Sequence, residues 1–201
     1  MPGLFLTFEG TDGAGKSTQI ERLRQALADH DPLVVREPGG TPLGERLRDL
    51  VLHDRDMAPA AEMYLYMAAR AELLAERILP ALAAGRLVIG DRYHDSTLAY
   101  QGGGRGLRAE WPPFFPKPDR TYLLALPPEA GLSRVNGAMA DRLERESLEF
   151  HRAVAGAYER LAAAEPERFL RLDAREAPKA IHRRILDDAT ALLRRLAPSS
   201  S

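Results

Sequence analysis

The chain has 201 residues, a net charge of −1 and no cysteine. That length suits one medium domain with a substantial core, and the near-neutral charge gives no global attraction to nucleic acid or an anionic membrane. The missing cysteines exclude disulfides, thiolate chemistry and cysteine-ligated zinc; with no apolar run near 18 residues and no charged-then-apolar leader, the expectation is a soluble, cytoplasmic protein.

Residues 4–8 are apolar and rich in strand formers. After them Ile20, Leu23, Ala26 and Leu27 recur at helical spacing, predicting a helix to about residue 28. Between the two lies Gly10-Thr11-Asp12-Gly13-Ala14-Gly15-Lys16-Ser17, followed by Thr18, which fits G-x-x-x-x-G-K-[ST], the phosphate-binding P-loop. Strand, glycine turn and helix come in the order that mechanism needs. The glycines let several backbone N–H groups face one point, and the helix N-terminus adds its positive end. Lys16 can reach the β- and γ-phosphates of a nucleotide, and the Ser17 hydroxyl can ligate Mg2+.

Asp29-His30-Asp31-Pro32 breaks the first helix, and Leu33-Val34-Val35 is a short buried strand. Residues 37–42 form a loop with strong turn chemistry, and a helix follows over 43–52. Residues 53–59 are polar and irregular. A long helix is predicted over 60–84, with Pro80 as a kink or break. Leu87-Val88-Ile89 reads as a central parallel strand and ends in Gly90-Asp91-Arg92-Tyr93. A helix begins over 96–100, whereas residues 101–106 are too glycine-rich for regular structure, and 111–118 is a loop of prolines and aromatics. A fourth strand is expected over 122–126, helices over 129–135 and 142–164, a fifth strand over 169–172, a closing helix over 178–196 and a frayed tail over 198–201. Alternating strands and helices predict an α/β fold, a five-stranded parallel sheet flanked by helices on both faces, in a single domain. Ligands in such sheets bind beyond the carboxyl ends of the strands, here residues 9–17, 36–41, 91–101 and from 127 onward.

The guanine-reading N-K-x-D of GTPases is absent, because Gly follows Asn136, the only asparagine. The serine-glycine-glycine-glutamine signature of transporter ATPases is absent too. The size fits a small-molecule kinase, whose chemistry needs positioning and charge neutralisation. Arg92, directly after Asp91 at the end of a buried strand, is a functional candidate for gripping a phosphate acceptor. Arg36 and Arg70, taken alone, read as surface charges somewhat more than as acceptor ligands. Asp91 can hold Mg2+ through water together with Ser17, or cap the next helix. Asp12 is not required for phosphate binding and is unfavourable beside it, which points to another task, such as accepting a hydrogen bond from a sugar hydroxyl. Glu9 is either site or scaffold. The five histidines show no ligand spacing and read as structural or surface residues.

Several blocks together resemble bacterial thymidylate kinases, of the P-loop nucleoside monophosphate kinase superfamily, over nearly the whole chain. They are Phe8 to Thr18, the R-E-P-G-G-T block from Arg36 with Pro42-Leu43-Gly44-Glu45 after it, and Tyr66-Met67-Ala68-Ala69-Arg70. Asp91-Arg92-Tyr93, the A-Y-Q-G-G-G-R-G block from Ala99 to Gly106 and Asp141-Arg142-Leu143-Glu144 complete the set. The resemblance implies Mg2+-dependent transfer of the γ-phosphate of ATP to thymidine monophosphate (dTMP), with Gly10 to Thr18 on ATP, in a homodimer. It implies that Arg70 holds dTMP near the base and Arg92 at the phosphate. Tyr66, where the family usually has Phe, would stack on thymine, and Gln101 with Ser96 and Thr97 would read the base edge. Tyr100 would exclude a ribose 2′-hydroxyl, Asp12 would take the 3′-hydroxyl, Glu37 would shape the acceptor site, and Arg48 would border the base. The nucleophile is an ionised phosphate oxygen, so no general base is needed. The family places a catalytic arginine in the P-loop or in the lid; Gly13 stands at the P-loop position here. The arginine is therefore expected from a short helical lid over about 133–146, from Arg134 or Arg142. The adenine site is expected around 173–178. Competing readings are a kinase for another nucleotide or nucleoside, and a nucleotide-sensing module.

Overall fold

The structure, a computed structural model, describes residues 3–53, 57–134 and 141–196. Five strands form one all-parallel sheet: β1 Leu4–Glu9, β2 Leu33–Arg36, β3 Leu87–Asp91, β4 Arg120–Ala125 and β5 Phe169–Asp173, in the order β2-β3-β1-β4-β5. All of β1 is buried, as a strand covered on both faces must be. Its alternation splits the core in two. Leu4, Leu6 and Phe8 face one side, under Ile20 and Leu23 of helix α1 (Lys16–Ala26). Phe5 belongs to the opposite side, with Leu73, Ile78 and Tyr93.

The remaining helices are α2 Pro42–His53, α3 Pro59–Leu73, α4 Leu79–Ala83, α5 His94–Thr97, α6 Pro128–Leu132, α7 Leu148–Ala164 and α8 Pro178–Leu196. Ile181 and Ile185 of α8 join the α1 side, whereas Phe150, Val154 and Tyr158 of α7 cover Leu123 on the other. No helix among the described residues is long and apolar enough to cross a membrane.

Five expectations are corrected. The long helix over 60–84 is divided by a π-helical turn, Leu74–Ile78, and Pro80 sits in the first turn of α4, where its missing N–H costs nothing. The glycine-rich stretch after Tyr100 is regular: Leu98–Gly104 is a second π-helical segment continuing α5. Glycine is required there by close approach, since a Cβ on Gly103 would run into Ala157 and one on Gly104 into the Phe150 ring. The helix expected from 142 begins at Leu148, where the Ser147 hydroxyl accepts from the Phe150 N–H at 3.2 Å and stops it from extending backward. The described lid residues 141–147 form turns rather than helix, and the helix expected over 129–135 ends at Leu132. Residues 54–56, 135–140 and 197–201 lie outside the described residues, and with them most of the expected lid and the tail.

Candidate active site

Register brings the carboxyl ends of three strands level. Phe8 of β1 and Arg36 of β2 both stand opposite Asp91 of β3. Beyond this row opens a cleft of about 530 Å³, a volume that suits small-molecule ligands. It is lined by the P-loop, by Arg36, Glu37 and Arg48, and by Tyr66. Asp91, Arg92, Ser96, Thr97, Tyr100 and Gln101 form its floor and far wall, and Arg134, Asp141, Leu143 and Glu144 border it.

On the P-loop, Lys16 donates to the Gly10 and Thr11 carbonyls, both at 3.0 Å, and is buried. Burial, helped by the nearby Arg92 charge, pulls its pKa down to about 8, against the pull of Asp12, Asp91 and Glu9. Gly13 has φ +74°, and a Cβ there would run into the Gly131 carbonyl of α6. No side chain fits at this position, so the loop cannot carry an arginine. Arg134 instead lies across it, donating to the Gly13 carbonyl at 3.1 Å. The Ser17 hydroxyl donates to Asp91 Oδ2 at 3.4 Å. A hydroxyl and a carboxylate are hard oxygen donors and suit Mg2+, which keeps waters and takes phosphate oxygens as its other ligands. Among the described residues no cluster of three His, Cys, Asp or Glu side chains forms an all-protein metal cage. Gly10, Thr11 and Ala14 lie beneath the cleft rather than in its lining.

Arg92 is the centre of the network that joins the P-loop to the far wall of the cleft. It adopts φ +67°, a left-handed conformation of the kind found at functional sites. Two bonds lock it there: its own N–H donates to the Phe8 carbonyl, and the next N–H, of Tyr93, donates to Glu9 Oε1 at 2.8 Å. Its guanidinium donates to the Gly10 carbonyl at 3.0 Å, to the Tyr100 hydroxyl at 3.2 Å and to Asp12 Oδ1, and sits 5.1 Å from the Tyr100 ring centre. Asp12 also accepts from the Tyr100 hydroxyl at 2.9 Å. Burial works to raise the Asp12 pKa, but Arg92, Lys16 and the Tyr100 hydroxyl outweigh it and hold it at about 2. Glu9, fully buried, accepts from Ser96 at 2.7 Å and Tyr158 at 2.8 Å. Of the two roles open to it, the geometry gives Glu9 that of scaffold, seating the groups behind Arg92. Ser96 thereby sits beside Arg92, whose guanidinium donates to it at 3.3 Å.

A second network is built on Arg70 of α3. Arg70 is 2% exposed and is not in the lining. It donates to Glu37 Oε2 at 2.6 Å, Thr97 Oγ1 at 2.9 Å, His94 Nδ1 at 3.1 Å and the Tyr93 carbonyl at 3.0 Å. Arg70 therefore orders Glu37 and Thr97, which do line the cleft. His94 is the neutral Nε2–H tautomer, donating to the Glu110 carbonyl at 2.9 Å; burial and Arg70 push its pKa down to about 3. Burial pushes Glu37 up to about 7 against the pull of Arg70. Its Oε1 is buried without a partner among the described residues, an orphan that a ligand donor would satisfy. Arg36 pairs with Glu45 at 3.0 Å at the exposed rim, and Arg48 donates to the Pro38 carbonyl at 2.9 Å.

The two lid candidates separate. Arg134 faces the cleft. Arg142 does not line it: its side chain donates to the Val51 carbonyl at 3.0 Å and pairs with Glu62 at 2.7 Å. Residues 173–178 stand away from the cleft lining, tied to α1 by Gln19 donating to the Pro178 carbonyl at 3.0 Å. Sequence reasoning missed Glu62, Tyr158 and the reciprocal pair Asp141 and Glu144, each accepting the other's backbone N–H at 2.9 Å. For Glu62 a signal existed, since it lies four residues before Tyr66 and eight before Arg70 on one face of a helix. Tyr158 gave none.

Known proteins share this architecture. The family model described as "Thymidylate kinase" matches residues 8–185. A thymidylate kinase of Synechococcus sp. (strain JA-2-3B'a(2-13)) is 48% identical over 193 residues, covering 90% of this chain and 92% of the relative. One from Halothermothrix orenii is 47% identical over 199 residues, covering 92% and 95%. The crystal structure of thymidylate kinase from Ehrlichia chaffeensis superposes with a TM-score of 0.74 at 26% identity, covering 94% of this chain and 99% of that one. With a P-loop and an arginine-centred wall meeting in one cleft, and likeness of this extent, the chain belongs to the thymidylate kinase family.

Proposed function

We infer that the cleft carries out transfer of the γ-phosphate of ATP to thymidine 5′-monophosphate, giving thymidine diphosphate and ADP. The observation that carries this reading is the Asp12–Arg92–Tyr100 junction, which ties the P-loop to the far wall of the cleft; donor and acceptor phosphates bound on its two sides would meet end to end. Lys16 would release its loop carbonyls to bridge the β- and γ-phosphates. Ser17, and Asp91 through water, would hold Mg2+, which neutralises phosphate charge when bound. Arg92 would grip the acceptor phosphate as a fork of donors, while Asp12 accepts from the sugar 3′-hydroxyl and Tyr100 leaves no room for a 2′-hydroxyl. Tyr66 would cover the base, with Arg36 and Arg48 at the rim and Gln101 and Thr97 at the base edge. The attacking atom is an ionised phosphate oxygen, so no side chain removes a proton. Arg134 would supply the charge that Gly13 cannot, moving from the Gly13 carbonyl onto the transferred phosphoryl; its contact with the P-loop supports it over Arg142. The adenine would rest near residues 173–178.

A homodimer is supported by family membership and by Tyr64, 67% exposed on α3; light scattering at micromolar concentration tests it. The near-neutral charge supports small molecules rather than nucleic acid as partners. A coupled ADP-release assay tests the reaction. It should show strong turnover with thymidine monophosphate and weak turnover with uridine and cytidine monophosphates. No acceptor-dependent ADP release would overturn the reading.

A further inference from the structure

Glu62 of α3 is fully buried and outside the cleft lining, yet one amide donor and two arginines converge on it. Gln101 Nε2 donates to Oε1 at 2.7 Å, while Arg105 at 3.1 Å and Arg142 at 2.7 Å meet Oε2. A buried carboxylate is costly unless it is fully paired. Burial works to raise its pKa, but Gln101 and the two arginines bring it below the ordinary range, so it stays ionised and can only accept.

This constrains Gln101, which lines the cleft. A side-chain amide has one donor end and one acceptor end. Turned over, its oxygen would face the carboxylate oxygen at 2.7 Å, lone pair against lone pair. Arg105 and Arg142 occupy the other carboxylate oxygen, leaving Oε1 for the amide. No group among the described residues donates to Gln101 Oε1.

We propose that Glu62 is a positioning residue for base specificity: it holds the Gln101 amide with its oxygen available to the cleft, so that the site accepts a ring N–H and rejects a ring nitrogen that carries a lone pair. The proposal rests on the reading of the cleft as a pyrimidine nucleotide site. Thymine has a proton on N3. Cytosine has none there, and its N3 would face the Gln101 oxygen with no hydrogen between them. Buried polar groups left unpaired in this way are a strong source of discrimination.

The test compares kcat and KM for thymidine and deoxycytidine monophosphates between the unaltered chain and Glu62→Gln. In the variant the new amide leaves its oxygen on the arginines and turns its NH2 toward residue 101, so Gln101 reverses and offers an N–H to the cleft. The ratio of kcat/KM between the two acceptors should fall at least about tenfold, chiefly through opposite changes in KM. In a Gln101→Ala background the same substitution should leave the ratio unchanged. Should Glu62→Gln fail to fold, Glu62→Asp keeps the charge for the arginines but draws back from Gln101, and the ratio should again fall. Equal loss on both acceptors, with an unchanged ratio, overturns this inference alone. An unaltered chain inactive on thymidine monophosphate overturns the functional reading and this inference with it.

Discussion

On the acceptor side of the cleft, Asp12, Arg92, Tyr100, Glu9 and Tyr158 satisfy one another in a half-buried to buried network; on the donor side, Ser17 reaches Asp91 only at 3.4 Å and Arg134 lies in the open on a backbone carbonyl. An acceptor wall whose side chains hold one another lowers the cost of gripping one phosphate in one orientation. On the proposed reading, the polyphosphate and its cation would bring the charges that complete the bonding of Lys16, Ser17 and Arg134 on the donor side. A phosphate acceptor must be aimed, whereas a chelated polyphosphate aligns flexible groups around itself.

The largest effect should follow from breaking the ordered side. Arg92→Ala removes the central fork, and kcat/KM for thymidine monophosphate should fall about a thousandfold, or ~4 kcal/mol. The ATP-binding affinity of the same variant, followed by calorimetry, should change far less. On the donor side, Arg134→Ala should lower kcat about a hundredfold with KM for both substrates within a few-fold, as expected of a charge used only in the transition state. Arg142→Ala separates the two arginines: it leaves Glu62 underpaired and should cost about 2 kcal/mol of stability, visible as a lowered melting temperature, while the folded fraction retains turnover. Restoration of the Arg134→Ala rate by an arginine placed at residue 13 would contradict the packing of Gly13 under α6.

Proton linkage sharpens the comparison further. Lys16 has a pKa near 8 in the free protein, and phosphates favour its charged form. ATP affinity should therefore be flat below pH 8 and fall by up to about tenfold per pH unit above it, with proton uptake on binding in that range. A flat profile to pH 9.5 would show that Lys16 is already fully charged without ligand. The smallest effect is expected from Tyr66→Phe. The Tyr66 hydroxyl makes no hydrogen bond among the described residues, and base stacking survives, so kcat/KM should stay within about twofold.

Much of this layout was legible in the sequence, and its limits are physical. The strands and the P-loop declare themselves because apolar periodicity and a fixed glycine-lysine spacing are local properties. The five-stranded parallel sheet and the convergence of 9–17, 36–41 and 91–101 followed from them. The division of labour among arginines was not legible: Arg70, Arg92, Arg134 and Arg142 differ in their partners, and partners such as Glu37, Glu62 and Asp12 lie tens of residues away in the chain. Nor was Glu9 resolved, because its role rests on Tyr158, 149 residues distant. The glycine run after Tyr100 was misread because glycine lowers helix propensity in isolation, whereas here it is selected by the approach of α7.

That same segment ties chain length to the site. A π-helical turn contains one residue more than an α-helical turn. Between Leu98 and Gly104 the extra residue is absorbed in a wider turn, and this sets the phase with which the chain leaves the segment. Were the same residues wound as ordinary α-helix, every side chain beyond the segment would be rotated by about 100°. Arg105 would swing away from Glu62, and Gly103 and Gly104 would no longer face Ala157 and Phe150. The wide turn keeps the site in phase although it is rich in the residue most often associated with slack.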